Sequence, residues 1–121
     1  MSIGGSGRNA LRRALVREDL RNVYRVGSRY QTSVATVHVL PDPHRGFRLA
    51  VPVGKRIGSA VVRNRVRRRI REAFRAVERR LRPGGDIIIV ARVAARTASF
   101  ETLVEELRKS FYDAGLYSAN G

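Results

Sequence analysis

The sequence predicts an α+β fold, a two-layer sandwich in which helices pack on one small mixed sheet. Two observations lead to this prediction. Segments with helical periodicity alternate along the chain with segments rich in β-branched residues. The longest helical segment also lies between two predicted strands, and such a strand–helix–strand unit is typical of helices packed on a sheet. The predicted element order is αβββαβα.

The first helix is predicted over residues 17–26. Glu18 and Asp19 suit the positively polarised N-terminus of this helix, and Gly27 suits its C-terminal cap. Its apolar residues recur on one face: Leu20, Val23 and Tyr24.

Three strands are predicted next. Residues 34–40 are rich in β-branched residues, a turn with two prolines follows, and residues 47–53 form the returning strand. Pro52 cannot donate a hydrogen bond to a neighbouring strand, so we expect it at a sheet edge or a strand end. A short strand over residues 29–31 precedes these two.

The long central helix is predicted over residues 60–81, with Ser59 as its N-cap and Pro83-Gly84-Gly85 as its stop. Apolar residues recur in it at steps of three and four, which is the spacing of one buried stripe. The stripe comprises Val62, Val66, Ile70, Ala73, Phe74, Val77 and Leu81.

The last two elements are a strand and a helix. Residues 86–92 are a continuous apolar run, typical of a strand that is buried on both faces of its sheet. Ser99 suits the N-cap of the final helix. The apolar stripe of that helix comprises Phe100, Leu103, Val104, Leu107 and Phe111.

Length and composition predict one domain. A chain of 121 residues with 43% hydrophobic residues has room for a single core. We expect a flexible N-terminal tail over residues 1–12, a domain over 13–117 and a C-terminal tail over 118–121. The absence of cysteine excludes disulfides and thiolate zinc sites. No segment reads as a signal peptide or a membrane span, so we expect a cytoplasmic protein without a membrane partner.

The charge predicts a polyanionic partner. The chain has 25 basic and 10 acidic residues, a net charge of +15, and 12 of the basic residues lie between Lys55 and Arg82 with only two acidic ones. Arginines of the long helix recur opposite its apolar stripe, and like charges four residues apart cost about 0.2–0.5 kcal/mol per pair. Phosphate groups would reverse the sign of this repulsion. A solvated charged face is the alternative, which the one-sided charge disfavours.

No catalytic or metal-ligating residues are predicted. His38 and His44 flank a turn with only Asp42 as a nearby carboxylate, and the acidic residues are scattered rather than clustered as in a two-metal site. No nucleophile–base pair is evident. The residues alone therefore predict a binding protein.

The segment from Val53 to Phe74, VGKRIGSAVVRNRVRRRIREAF, resembles the signature of the protein subunit of bacterial ribonuclease P, in which a basic turn precedes an Arg-Asn-Arg helix. The resemblance extends over about Arg13 to Tyr117. Ser59 stands where the family usually has Asn, and Arg56 where it has Lys. Leu20 and His38 stand at positions that the family usually fills with aromatic residues, which predicts weaker base stacking there.

The resemblance implies the αβββαβα fold with a left-handed crossover. It also implies a ribonucleoprotein in which a catalytic RNA, with Mg²⁺ held mainly by that RNA, makes the mature 5′ end of tRNA. The isolated chain is then expected to be inactive, with no metal bound by a protein motif. The implied contacts with the catalytic RNA are Lys55, Arg56, Arg63, Asn64, Arg65, Arg67, Arg68, Arg71 and Arg75. The implied cleft for the 5′ leader of precursor tRNA comprises Leu20, Tyr24 and His38.

Three other classes of protein compete with this interpretation. The first is a ribosomal or other structural RNA-binding protein, which would have a similar charge. The second is a DNA-binding protein, which we do not expect because no helix-turn-helix or dimerisation heptad is visible. The third is a nuclease that acts without RNA. For the long helix, we expect Arg67, Arg68, Arg71 and Arg75 to project away from the core.

Overall fold

The computed structural model of the protein describes residues 15–82 and 84–117. The predicted tails, residues 1–12 and 118–121, lie outside these ranges, as do residues 13, 14 and 83. The elements follow the predicted order: α1 (Arg17–Val26), β1 (Ser28–Gln31), β2 (Ala35–Pro41), β3 (Phe47–Ala50), α2 (Ala60–Glu78), β4 (Gly85–Ala91) and α3 (Phe100–Asp113). Short 3₁₀ turns lie at Lys55–Ile57 and Val93–Arg96. Within the described ranges, no helix is long and apolar enough to span a bilayer.

The four strands form one mixed sheet in the order β1-β2-β4-β3. β4 is antiparallel to β2 and parallel to β3, so the crossover through α2 joins two neighbouring parallel strands. The sequence predicts that the chain turns back after β2 and that the returning strand, β3, pairs with β2. This pairing is wrong, because β4 lies between the two strands. β3 also ends at Ala50 rather than at residue 53, and Pro52 follows it at the sheet edge as expected.

The central strand β4 is covered on both faces of the sheet. Ile87, Ile88 and Ile89 are all fully buried, which confirms the predicted burial on both faces. Glycine is required where this strand begins. A Cβ on Gly85 would lie 2.3 Å from the carbonyl oxygen of Leu40, and its φ of +132° also favours glycine.

The main core lies between the inner face of the sheet and the helices α2 and α3. Phe74 of α2 packs edge-on against Phe47 of β3 and Phe111 of α3, with ring centroids 6.4 and 5.9 Å apart. Most of the predicted stripe residues are buried, but Phe100 is 40% exposed. Its inclusion in the stripe of α3 was wrong, because a side chain at the first residue of the helix lies beyond the end of the core.

The ends of the helices agree in part with the predictions. The hydroxyl oxygens of Ser59 and Ser99 accept hydrogen bonds from Val62 N (3.3 Å) and Thr102 N (3.0 Å), so both predicted N-caps are confirmed. α2 ends at Glu78, three residues before the predicted end. Leu81 is nevertheless buried, in the turn that follows.

α1 crosses the outer face of the sheet, where Val23 packs in a smaller cluster with Leu15 and Ile88. Gly27 ends α1 with φ −78°, so it does not adopt the left-handed conformation of many glycine caps. A Cβ at this position would lie 2.6 Å from Val23 O and 2.8 Å from Val39 O. Glycine is therefore needed for the close approach of α1 to β2.

Candidate nucleic-acid interface

The solvent side of α2 carries the predicted row of basic residues. We call it the arginine face, and it comprises Asn64, Arg67, Arg68, Arg71 and Arg75, which line one shallow groove with Glu72. Arg71 and Arg75 also line a second groove with Leu49 and Phe74, which places this part of the face beside the β3 edge of the sheet.

Most of the residues that the resemblance implies as contacts with the catalytic RNA are free to bind an anion. Lys55 and Arg56 are exposed on the 3₁₀ turn before α2, which the buried side chain of Ile57 holds against the core. Within the described ranges, no ion pair engages the exposed cations of this region: Lys55, Arg56, Arg65, Arg68, Arg71 and Arg75. Their charge is therefore not neutralised inside the protein.

Two of the implied contacts instead hold the backbone. Arg67 Nε donates to Val51 O (3.3 Å), and its terminal nitrogen donates to Asn64 Oδ1 (2.7 Å). Arg63 Nε donates to Gly58 O (3.2 Å) in the preceding turn. The expectation that Arg67 projects away from the core is thus wrong, because its long side chain folds back to the end of β3. Arg67 also orients the Asn64 amide at the surface.

Arg69 was not singled out in the sequence, although it is part of the same run. Its guanidinium donates to Ala98 O at 2.7 Å, so it ties α2 to the segment before α3. Its position one residue before the buried Ile70 does not predict this contact, because Arg65 lies one residue before the buried Val66 and is exposed.

A second candidate site lies on the outer face of the sheet, beside α1. The Tyr24 ring is 48% exposed and meets the His38 ring of β2 edge-on, with centroids 4.8 Å apart and an interplanar angle of 77°. Leu20, half-buried, lies one helical turn before Tyr24. The structure therefore brings together all three residues implied for the leader cleft. We call this site the aromatic cleft.

The register of the sheet adds residues to the cleft that the sequence did not single out. Arg29 of β1 is directly opposite His38, and Gln31 is directly opposite Thr36 of β2, so these side chains share one face. Arg29 donates to Gln31 Oε1 at 3.1 Å. Alternation in β1 would have placed Arg29 and Gln31 on one side, but only the pairing with β2 shows which side faces α1.

The rings of the aromatic cleft are uncharged at neutral pH. Burial raises the pKa of the Tyr24 hydroxyl above its ordinary value. Burial lowers the pKa of His38, and the positive charge of Arg29 lowers it further. Neutral rings beside a guanidinium are suited to stack unpaired bases while the cation meets the phosphate backbone.

An ionic network around the buried Asp86 ties α1 to the sheet. Arg48 of β3 donates to both carboxylate oxygens of Asp86, at 2.9 and 3.0 Å, and reaches Asp19 of α1 at 3.2 Å. Arg45 approaches Asp86 at 2.8 Å. Burial would raise the pKa of Asp86, but the hydrogen bonds from Arg48 and the positive charge of the nearby Arg45 outweigh burial and hold it below its ordinary value.

The carboxylates of this network are engaged by arginines rather than arranged for a metal ion. Within residues 15–82 and 84–117, no group of three or more His, Asp or Glu side chains has a geometry that fits a metal.

Comparisons with known proteins agree on one family. The family model for ribonuclease P matches residues 9–115. The ribonuclease P protein component of Clostridioides difficile (strain 630) is 33% identical over 91 residues, which cover 74% of this chain and 80% of the relative. The corresponding protein of Symbiobacterium thermophilum is 37% identical over 102 residues, which cover 84% of this chain and 89% of the relative.

Solved structures show the same fold. A Staphylococcus aureus RNase P protein, a mutant with defective mRNA degradation activity, superposes with a TM-score of 0.80 at 25% identity, covering 97% of this chain and 98% of that chain. The RNase P protein from Thermotoga maritima superposes with a TM-score of 0.74 at 25% identity, covering 84% of this chain and 97% of that chain.

Proposed function

The chain belongs to the ribonuclease P protein family, and from this premise we propose that its two surfaces bind two RNAs in one ribonucleoprotein. The arginine face binds the catalytic RNA, and the aromatic cleft binds the 5′ leader of precursor tRNA. The observation that carries this proposal is the presence on α2 of exposed arginines without ion pairs in the described part of the chain, namely Arg65, Arg68, Arg71 and Arg75, together with a separate, half-exposed aromatic site beside α1.

The chemistry of each surface suits its proposed RNA. Exposed guanidiniums make bidentate contacts with phosphates. The release of counterions from a folded RNA then provides affinity that is independent of the RNA sequence. Asn64, oriented by Arg67, presents an amide that can bond to a base or a 2′-hydroxyl. In the cleft, Tyr24 and His38 offer ring faces and edges to the unpaired bases of the leader.

Mg²⁺ enters this proposal with the RNA. Asp19, Asp42 and Asp86 each form an ion pair with Arg45 or Arg48. The protein's part is to hold the substrate and to neutralise phosphates, while bond cleavage belongs to the catalytic RNA and its metal ions.

Reconstitution tests the proposal. RNA-free protein, the cognate catalytic RNA and the two together are incubated with precursor tRNA and Mg²⁺ at low millimolar concentration, and the 5′ ends of the products are mapped. We expect efficient cleavage at the mature 5′ end only when both components are present. Site-specific cleavage by the protein alone, or no gain when the protein is added to the RNA, would contradict the proposal.

A ribosomal or other structural role is separated by the RNA that accompanies the protein. The full chain is purified from its own organism under native conditions, and the co-purifying RNA is identified by its length and sequence. We expect the catalytic RNA and precursor tRNAs. Ribosomal RNA in their place would support the structural alternative.

A further inference from the structure

A second row of arginines runs along α1, outside both surfaces described above. Arg17, Arg21 and Arg25 are all exposed and are spaced at four residues, so they share one side of the helix. Within the described ranges, none of the three forms an ion pair, and only Arg25 has a side-chain partner, Asn22 Oδ1 at 2.9 Å.

Folding favours only one member of this row, Arg25, which lies in the last turn of α1 where the helix dipole stabilises a cation. Arg17–Arg21 and Arg21–Arg25 are like charges at a spacing that destabilises a helix. Arg17 also lies in the first turn of α1, where the helix dipole disfavours a cation. A partner that supplies negative charge would offset both effects.

The row lies next to the aromatic cleft. Arg17 precedes Leu20 by three residues and Arg21 precedes Tyr24 by three, and residues three apart are neighbours on a helix surface. The opposite flank of α1 is tied to β3 through Asp19 and Arg48, whereas the Tyr24 flank faces β2. The arginines therefore border the cleft on its solvent side, opposite the sheet residue His38.

We propose that this row binds the phosphates of a single RNA strand that lies along α1 with its bases against Leu20, Tyr24 and His38. This inference rests on the proposed function, since it assigns the backbone contacts of the same leader. The row extends over about 12 Å along the helix axis, at 1.5 Å per residue. The cleft thus binds the strand from two sides, with rings for the bases and cations for the backbone.

The test uses the holoenzyme assembled from full-length protein and its cognate catalytic RNA. Dissociation constants are measured for precursor tRNA with an eight-nucleotide leader and for mature tRNA, at several salt concentrations. The variant Arg17→Gln/Arg21→Gln/Arg25→Gln is compared with a charge-matched control, Arg79→Gln/Arg82→Gln/Arg96→Gln, whose arginines are exposed and belong to neither surface.

We expect the α1 variant to lose about tenfold of the preference for precursor over mature tRNA, since exposed charge contacts are individually weak. The salt dependence of that preference should become shallower by about two units, at about 0.7 per phosphate contact on a single strand. A leader with neutral methylphosphonate linkages should weaken wild-type binding to the level of the variant and leave the variant unaffected. The control variant should keep the wild-type preference.

Different failures are distinguishable. A wild-type holoenzyme that binds precursor and mature tRNA equally would overturn the proposed function and this inference with it. Wild-type discrimination that the α1 variant retains in full would overturn this inference alone. Equal weakening for mature tRNA, or for the catalytic RNA without substrate, would also overturn it, because the row would then contact folded RNA.

Discussion

Changing Arg71 and Arg75 together to glutamine is expected to weaken RNA binding without weakening the fold. Both side chains are exposed on the arginine face, and neither has a hydrogen-bond or ion-pair partner within the described ranges. Glutamine has nearly the same helix propensity as arginine, so the substitution changes little except charge.

The expected change in stability follows from the neighbours on α2. The double change removes three like-charge contacts at four-residue spacing, Arg67–Arg71, Arg71–Arg75 and Arg75–Arg79, worth about 0.2–0.5 kcal/mol each. It also removes a cation from the last turn of the helix, which costs about 0.3–1 kcal/mol. The free energy of unfolding should therefore be unchanged or higher by at most about 1 kcal/mol, and the melting temperature by at most a few degrees.

The expected change in binding is larger. Each phosphate contact contributes about 0.7–0.9 to the slope of log affinity against log salt, so the double variant should be shallower by about 1.4–1.8 units. Binding to the catalytic RNA is titrated at four or more salt concentrations, and thermal unfolding is followed on the same samples. An unchanged slope with intact affinity would show that these arginines are only a solvated face and would refute the reasoning.

Arg67→Gln is the matched comparison for this experiment. It removes one charge from the same face, but it also removes the hydrogen bonds to Val51 O and Asn64 Oδ1. We expect it to destabilise the free protein by about 1–2 kcal/mol. Equal stability of the two variants would contradict the role assigned to Arg67.

Three further changes test the cleft and its supports. Tyr24→Ala should weaken binding of precursor tRNA by about 1–3 kcal/mol and leave mature tRNA unaffected in paired titrations, and equal losses would point to a core role. Gly27→Ala places a Cβ 2.6 Å from a carbonyl oxygen, so it should destabilise the protein by about 1–3 kcal/mol in denaturant unfolding and impair leader binding. Asp86→Asn should cost about 3 kcal/mol at neutral pH, because it leaves Arg48 without its buried partner. The lowered pKa of Asp86 means that its contribution is complete above the ordinary carboxyl pKa and is lost as pH falls. The difference in unfolding free energy between wild type and Asp86→Asn should thus shrink below about pH 4.

The element order and both serine caps could be predicted because they depend on local patterns. Periodicity locates α2, and a serine before a helical run identifies its N-cap whatever the fold around it. The pairing of β2 with β3 was wrong because neighbours in sequence usually pair. Burial of the run Ile87–Ile89 indicates cover on both faces of the sheet, but it does not specify which strands pair with β4.

The candidate site was predictable in position but not in the roles of single residues. The charge pattern predicted the exposed row of arginines on α2. It could not distinguish Arg67 from Arg71, because each directly follows a buried residue of the stripe and they differ only in their hydrogen-bond partners. Arg67 meets the free carbonyl of Val51, whose position depends on where β3 ends. In the same way, Arg29 joins the cleft through its pairing with His38, a contact that no local pattern specifies.

The position of β4 sets the order in which this protein can be made. Residues paired between β2 and β4 are 44 to 56 positions apart in the chain, and those paired between β3 and β4 are 38 apart. Such non-local pairing is slow, and unpaired strand edges remain exposed until it occurs. A nascent chain must therefore release residue 91 from the ribosome before its sheet can close, and by then every arginine of α1 and α2 has already been synthesised.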